Sequence, residues 1–235
     1  MYKTVAIVAA AGQGKRMGSA LNKQYLSLED KPVLAHTLGI LHQHPLIEGI
    51  IVVVKEDEIE LCFSQVVNPY KISKVLKVIP GGKERQDSIY AGLKALPSEC
   101  QLVVVHDGAR PFIAPNIISE TINAGMQKGA AIAAVPVKDT IKRVSSDNKV
   151  IETIPRSELW AVQTPQVFSK DLIKQAYENG IKAGFIGTDD ASFVELLGHQ
   201  VEVILGSYEN IKITTPEDIG LGISILSKRS SMSRS

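Results

Sequence analysis

The chain has few cysteines, almost no net charge and no long apolar run, and each shortage argues against a class of protein. Its 235 residues include only Cys62 and Cys100, too few for a disulfide framework and at no metal-ligand spacing from another Cys or His. Lys plus Arg number 26 against 25 acidic residues, so the net charge of +1 gives no field for a nucleic acid or an anionic membrane. No stretch approaches the ~20 apolar residues of a membrane span. We expect a cytoplasmic protein with small-molecule partners, no nucleic acid and no membrane.

Motifs for a protein nucleophile or a bound metal are also missing. The sequence has no Gly-x-Ser-x-Gly elbow, no His-Glu-x-x-His motif and no Cys–His pairing. Nucleotidyl transfer fits this gap, because a substrate phosphate is then the nucleophile and the protein supplies alignment and charge. Mg²⁺ across the phosphates would further stabilise the transition state.

A glycine loop with two cations follows the first apolar run. Residues 10–18 read AAGQGKRMG. Glycines let backbone amides approach an anion, and Lys15 and Arg16 add charge, so we expect nucleotide phosphates here. The spacing fits neither the Rossmann G-x-G-x-x-G motif nor the P-loop, and the second predicted strand lacks the terminal acid of a Rossmann fold. Arg16 and Lys23 are the candidates for stabilising the transition state; a purely structural turn is the alternative.

Apolar runs alternate with helical periodicity along the chain. Strands are predicted at 5–10, 50–54, 75–79, 102–105, 131–137 and 201–205, and helices at 33–42, 56–67, 86–96, 116–128, 170–179 and 189–197. This alternation predicts an α/β fold with a doubly wound, mostly parallel, Rossmann-like sheet. Residues 140–144 and 150–154 instead predict a projecting β-hairpin arm at about 138–158. We expect a single domain over 1–227 and a disordered tail over 228–235.

Other polar motifs have both a functional and a purely structural interpretation. Residues 81–88 (GGKERQDS) follow a strand and open a helix, where they would approach a base or form a plain turn. Asp107, in HDGARP, ends a strand and suits a ribose hydroxyl or a metal's water shell, or caps a turn with Arg110. The TDDAS segment at 188–192 is equally a helix N-cap. Lys212 interrupts an apolar strand, where a lone lysine is usually solvated.

Together these motifs resemble one family, the 2-C-methyl-D-erythritol 4-phosphate cytidylyltransferases of non-mevalonate isoprenoid biosynthesis. The resemblance runs almost end to end through AAGQGKRM, KQYL, HDGARP, PVKDT, TPQ, TDDAS and NIK. It implies a nucleotide-diphospho-sugar transferase type of fold. It also implies a transferase that moves CMP from CTP to 2-C-methyl-D-erythritol 4-phosphate, with Mg²⁺, and releases pyrophosphate.

The same resemblance implies roles for individual residues, position by position. The residues implied to be catalytic are Arg16, Lys23, Arg156 and Lys212. Those implied to bind CTP and the metal are Ala10, Ala11, Gly12, Gly14, Gly82, Ser88, Asp107 and Gly108, with Asp107 closest to Mg²⁺. Those implied to line the acceptor site are Arg110, Thr140, Thr164 and Thr188. The family is a homodimer whose hairpin arms embrace, so Thr140 and Arg156 would act across the interface.

Two details qualify the comparison with the family. Lys83 stands where many members carry an acidic residue, so its side chain is not expected to contact the base. The related ribitol-5-phosphate cytidylyltransferases share the fold and the nucleotide and are the alternative, but they typically have glycine where Ala11 stands. That difference and TDDAS favour the methylerythritol acceptor. No cyclase extension follows, so we expect the monofunctional form.

Overall fold

The computed structural model describes residues 3–12 and 22–232, apart from the side chains of Lys23 and Met232. Within them the strands are β1 (Thr4–Ala9), β2 (Ser27–Leu28), β3 (Lys31–Pro32), β4 (Gly49–Val54), β5 (Val75–Pro80), β6 (Leu102–Asp107), β7 (Ala130–Pro136), β8 (Ile141–Val144), β9 (Val150–Ile154), β10 (Trp160–Ser169) and β11 (Glu202–Leu205). The helices are α1 (Val33–Gln43), α2 (Ile59–Cys62), α3 (Arg85–Lys94), α4 (Pro115–Lys128), α5 (Lys170–Lys182), α6 (Ala191–Leu196) and α7 (Pro216–Met232).

Seven of these strands form a mixed, mostly parallel sheet, in the order β11-β7-β10-β6-β1-β4-β5. The predicted α/β class is confirmed, and every predicted sheet strand is present with small shifts at its ends. The strand β10 was not predicted, and it runs antiparallel to both β6 and β7. Its pairing with β7 is interrupted between Val162 and Gln166, so the backbone there bulges at the edge where the candidate residues gather.

Alternating side chains of the buried strands form a core on each face of the sheet. Ala6 and Val8 of β1 pack beneath α1 and α4, whereas Val5 and Ile7 pack beneath α3 and α5. Both faces are therefore apolar, which explains the continuous hydrophobic runs. A smaller cluster around Phe112 joins α7 to the start of α1.

The predicted hairpin arm exists, and its two strands, β8 and β9, are almost entirely exposed. The prediction for the tail was wrong at residues 228–232, because α7 continues through them; residues 233–235 lie outside the described part. Lys212 also lies in a loop rather than in a strand. Residues 56–67 are helical as predicted, but as a succession of 3-10, α and π turns.

The parallel strands bring their carboxyl ends to one edge of the sheet, and backbone bonds tie the loops together there. Ala10 N–H donates to Val53 O (2.8 Å), Gly81 N–H to Val54 O (2.7 Å) and Gly108 N–H to Ala9 O (2.9 Å). The segments after β1, β5 and β6 are thus fixed side by side. Among the helices in the described ranges, none is both long and apolar enough to cross a membrane.

Candidate active site

Two cavities open at this edge of the sheet and share a wall. The first, of about 360 Å³, is lined by the predicted nucleotide-binding residues Ala10, Ala11, Gly12, Gly82, Ser88 and Asp107. The second, of about 420 Å³, is lined by Arg110, Thr164 and Thr188, three of the residues predicted for an acceptor. The side chains common to both are Arg85, Asp107 and Lys212. Residues predicted for different substrates therefore line different cavities that meet at one carboxylate.

Asp107, at the end of β6, is almost completely buried and is surrounded by positive charge. Lys212 Nζ lies 3.0 Å from Oδ2, Arg110 Nε 3.1 Å from Oδ2 and Arg85 Nε 3.5 Å from Oδ1. Burial raises the pKa of Asp107, but the charges of Lys212, Arg85 and Arg110 outweigh burial and hold that pKa well below its ordinary range. Asp107 is therefore a permanent anion at the junction of the two cavities.

Arg85, which sequence reasoning missed, is held by a second buried carboxylate. Its guanidinium makes two parallel bonds to Asp190, at 3.0 and 2.7 Å, and Tyr177 donates to the same carboxylate at 2.6 Å. Burial opposes the charge, yet Asp190 and Asp107 raise the pKa of Arg85 above its usual value. The one sequence signal for Arg85 is its position as a cation in the strand-to-helix segment GGKERQDS. The TDDAS segment is thus more than an N-cap, because Asp190 anchors Arg85.

The loop that carries Lys212 is fixed from both sides. Arg110 donates to Asn210 O (2.8 Å), and Asn210 Nδ2 donates to Thr164 O (2.9 Å). Ile213 N–H donates to Ala109 O (2.8 Å) and its side chain is buried in the cluster around Phe112. Alternation along this loop therefore buries Ile213 and leaves Lys212 beside Asp107. The lysine is 36% exposed at its side chain and ion-paired, so it is not the solvated residue that sequence reasoning considered usual.

Thr164 and Arg110 each have a structural partner as well as a place in the second cavity. Thr164 Oγ1 accepts the Asp107 N–H at 3.0 Å. The Arg110 contact to Asp107 confirms the pairing that sequence reasoning held as the structural alternative. Both interpretations of HDGARP are therefore compatible with one arrangement.

The predicted glycines differ in what surrounds them. A Cβ at Gly82 would lie 2.2 Å from Asp87 Cβ, and one at Gly108 would lie 3.0 Å from Leu34 Cδ1. Packing within the fold explains both. A Cβ at Gly12 would meet no described atom within 4 Å, and its φ lies outside the left-handed region. Within the described chain, Gly12 has no conformational or packing requirement for glycine.

Some predicted residues lie away from the cavities or outside the described part. Thr140 and Arg156 stand at the base of the arm, both exposed, where Arg156 donates to Lys138 O at 2.8 Å. Neither lines either cavity, as far as the described residues show. Gly14 and Arg16 lie outside the described residues, as does the side chain of Lys23, whose backbone belongs to the 3-10 turn Lys23–Tyr25. Lys83 lines the first cavity.

The residues present fit a magnesium ion only as part of a complex with phosphates. Residues 3–12 and 22–232 contain no cluster of three or more His, Cys, Asp or Glu side chains that could hold a metal. Asp107 offers a single ionised carboxylate at the cavity junction. Mg²⁺ commonly binds through one or two carboxylates together with substrate phosphates and water, and Asp107 fits that donor set.

Sequence and structure comparisons agree on one family. The family model IspD, 2-C-methyl-D-erythritol 4-phosphate cytidylyltransferase, matches residues 4–228. An enzyme of that name from Alkaliphilus metalliredigens is 51% identical over 227 residues, covering 97% of this chain and 94% of the relative. One from Halalkalibacterium halodurans is 49% identical over 223 residues, covering 95% and 96%.

Solved structures agree with this result. The crystal structure of 4-diphosphocytidyl-2C-methyl-D-erythritol synthase from Anaerococcus prevotii superposes with a TM-score of 0.84 at 36% identity, over 96% of both chains. That of 2-C-methyl-D-erythritol 4-phosphate cytidylyltransferase from Thermus thermophilus gives 0.78 at 27% identity, over 97% of this chain and 100% of that one. The chain therefore belongs to the 2-C-methyl-D-erythritol 4-phosphate cytidylyltransferase family.

Proposed function

We propose that the first cavity binds CTP and the second binds 2-C-methyl-D-erythritol 4-phosphate, so that the reacting phosphates meet beside Asp107 and Lys212. As a member of its family, the protein is a cytidylyltransferase that transfers CMP from CTP to this acceptor and forms the CDP-alcohol. The family assignment decides against the ribitol phosphate alternative. The observation that carries the placement is the junction itself: six of the residues predicted for CTP line one cavity, three of those predicted for the acceptor line the other, and the two cavities have a common charged wall.

In this arrangement CTP lies along the glycine loop. Ala10 lines the cavity wall, and Ala11 and Gly12, with Gly14 beyond them, hold the phosphates through backbone amides. Gly82 and Ser88 lie at the cytosine, and Asp107 lies at the ribose. Gly108, which was also predicted there, is buried next to Asp107 and is not among the described residues that line either cavity. Gly12 supports this orientation best, since the space beside it in the described chain is free for a ligand.

Catalysis then consists of positioning and charge. An oxygen of the acceptor phosphate attacks the α-phosphorus of CTP, and the bond to pyrophosphate breaks. Arg16 and Lys23 stabilise the charge that develops at the α-phosphate, while Lys212 and Arg156 hold the attacking phosphate. Asp107 would hold Mg²⁺, directly or through water, and the ion when bound supplies further charge neutralisation on the phosphates.

The acceptor site draws on Arg110, Thr164 and Thr188 of one chain and, we propose, on Thr140 and Arg156 of a second copy. Exposed apolar side chains on and beside the arm support an interface there: Val144, Val150, Ile151, Trp160, Leu205 and Tyr208. Exposed apolar side chains that are neighbours, as Val144 and Val150 are in the arm, favour an interaction site. We therefore propose a homodimer through the arm. The cytoplasmic location inferred from cysteine content stays a prediction.

Steady-state kinetics of pyrophosphate release test the placement of the substrates. Thr188→Val removes a hydroxyl from the second cavity with little change in shape. We expect it to raise KM for the acceptor about tenfold, the value of one hydrogen bond to a charged group, and to leave KM for CTP unchanged. A rise in KM for CTP alone would place the nucleotide in the second cavity and overturn the assignment.

Mixing two inactive variants tests the shared site. We expect Lys23→Ala and Arg156→Ala each to be nearly inactive as homodimers. After the two are unfolded and refolded together, half of the dimers carry one variant of each kind. In a mixed dimer, one of the two sites has both wild-type side chains only if Arg156 acts across the interface, which restores about a quarter of wild-type activity. No recovery would assign Arg156 to the active site of its own chain.

A further inference from the structure

We propose that residues 55–58, directly after β4, position the turn that carries Lys23, through Glu58 to Gln24 and through Lys55 to Asn22. The inference rests on the role proposed above for Lys23. Glu58 would be a positioning residue, since it acts on the reaction through the place it gives to that lysine. Lys55 supports the same turn and also lines the first cavity. Neither residue was predicted for the site.

Gln24 connects the Lys23 turn to the start of the glycine loop. Its side chain is buried, and Nε2 donates to Ala10 O at 2.5 Å and to the Glu58 carboxylate at 3.1 Å. Both partners are acceptors, so the amide can present only its NH₂ group to them. The residue next to Lys23 is therefore joined at once to the segment expected to hold the phosphates and to the segment after β4.

The residue on the other side of Lys23 is held from the same segment. Lys55 Nζ donates to Asn22 Oδ1 at 3.4 Å. Tyr25 Oη donates to Glu58 O at 3.4 Å, and Tyr25 N–H donates to Asn22 O at 2.9 Å. Residues 55–58 thus contact the turn both before and after Lys23. β4 is a fully buried strand paired with β1 on one side and β5 on the other, so its end is a rigid support.

The contact between Glu58 and Gln24 is hard to explain by stability alone, because it requires a buried carboxylate. Its side chain is buried, yet within the described residues it forms no ion pair. The groups that hydrogen-bond to its carboxylate are the side-chain amide of Gln24 and the backbone N–H of Lys55, both uncharged. Burial raises the pKa of Glu58, while Lys55 lowers it and Asp57 raises it. A buried carboxylate that lacks an ion-pair partner costs stability compared with an apolar side chain. What it provides here is a fixed acceptor that orients Gln24.

The expected kinetic consequence is confined to turnover. A lysine that stabilises a transition state must lie within a fraction of an ångström of its place, and a displacement of about 1 Å can cost up to about a hundredfold in rate. Substrate binding depends on the cavity walls, and Glu58 does not line the first cavity. Its partner Gln24 does line that cavity, but its bond to Ala10 O does not depend on Glu58 and should keep it in place. Loss of the Glu58–Gln24 contact should therefore lower kcat with little change in KM.

A double-mutant cycle on the full-length enzyme tests this. We expect Glu58→Ala to lower kcat about tenfold with KM for both substrates within about twofold. Glu58→Gln, which keeps a carbonyl acceptor for Gln24, should restore most of the rate. In the Lys23→Ala background, Glu58→Ala should have no further effect on kcat, because the side chain that it positions is gone. Glu56→Ala is the matched control, since Glu56 is exposed and has no side-chain partner in the described part of the chain.

The outcomes of the cycle distinguish the role of Lys23 in the transition state from the positioning role of Glu58. If Lys23→Ala retains wild-type kcat, the proposed role of Lys23 fails. If Lys23→Ala is impaired but Glu58→Ala has no effect, or has the same effect in both backgrounds, only the positioning role fails. A rate for Glu58→Gln as low as that for Glu58→Ala would also overturn it. If Glu58→Ala does not fold, Asn22→Ala replaces it in the same cycle, with an expected loss of about threefold because its contact is longer.

Discussion

The loop after β1 and the loop after β5 carry similar sequence signals but differ in what their glycines do. Both follow a parallel strand, and both line the first cavity. In the second loop, a Cβ on Gly81 would lie 2.7 Å from Ala11 Cβ, and one on Gly82 would lie 2.2 Å from Asp87 Cβ. In the first loop, a Cβ on Gly12 would meet nothing within 4 Å among the described atoms. Glycine is thus needed by the fold in one loop and unexplained by the described fold in the other.

A glycine in a glycine-rich motif can serve packing or a ligand, and the atoms around it indicate which. Where neighbouring atoms fill the space, the glycine serves packing, and its substitution should lower stability first. Where no described atom fills the space, as at Gly12, a bound molecule is a reason for glycine that substitution can test. The predictions below test this distinction through the free energy of unfolding, from the largest expected loss to the smallest.

Asp190→Ala should have the largest effect, because it removes the anchor of the second loop. The carboxylate is fully buried and accepts bonds from Arg85 and Tyr177, so its loss leaves both donors without their partner. We expect a loss of about 3 kcal/mol in urea unfolding, at the low end for a buried pair because the Arg85 side chain is 32% exposed. Asp190→Asn keeps an acceptor for Tyr177 and should lose less. Stability within about 0.5 kcal/mol of wild type for Asp190→Ala would contradict this account.

Gly82→Ala should follow, with a loss of about 2 kcal/mol from overpacking. Asp87, which the new methyl group would displace, also accepts the Glu84 N–H at 2.9 Å in a capping box at the start of α3. The matched control is Gly39→Ala in α1, where the space is open and the helix should gain about 0.5–1 kcal/mol. Thermal unfolding of both variants measures the difference. If Gly82→Ala were as stable as Gly39→Ala, the loop after β5 would accommodate the extra methyl group without cost, and the overpacking argument would be wrong.

Strands that are buried on both faces were predictable, because burial requires a continuous run of apolar residues. Elements whose sequences contain polar residues or glycines, for the sake of the site or of close packing, were not. The strands with continuous apolar residues were found because both their faces are covered. β10 was missed because Gln163, Thr164, Pro165 and Gln166 interrupt its apolar character. In the structure these polar side chains are satisfied by partners such as Asn210 and Asp189 at the edge of the second cavity. In α7, Gly220 and Gly222 lower helix propensity, yet Gly222 lets the helix approach Phe112.

The candidate site was predictable as a set of motifs but not as a network. The phosphate loop, Asp107 and the acceptor residues each belong to a recognisable segment. Arg85 and Asp190 are 105 residues apart in the chain, and only the packing of α3 against α5 and α6 brings them together. Likewise, Gln24 and Glu58 are 34 residues apart, and neither is in a pattern that indicates a contact. Long-range pairs of polar residues leave no periodic signal.

Ser88→Ala should cost about 1 kcal/mol, the value of a typical hydrogen bond. The buried hydroxyl accepts the Gly82 N–H at 3.1 Å and donates to Glu84 O at 3.2 Å, so it closes the second loop on itself. Ser88 also lines the first cavity, and we expect KM for CTP to rise only a few-fold, as a consequence of the looser loop. A stability equal to that of wild type together with a large rise in KM would instead make Ser88 a direct ligand of the nucleotide.

Gly12→Ala should leave the free energy of unfolding within about 0.5 kcal/mol of wild type, because its φ is accessible to alanine and no atom of residues 3–12 or 22–232 lies within 4 Å of the new Cβ. The methyl group would occupy the space in which we place the phosphates of CTP, so KM for CTP should rise about tenfold or more, equivalent to ~1.4 kcal/mol of binding. KM for the acceptor should not change, and Gly39→Ala should leave both constants at their wild-type values. If Gly12→Ala instead lowered stability and left KM for CTP intact, the glycine would serve the fold, and the two loops would not differ in the way their surroundings indicate.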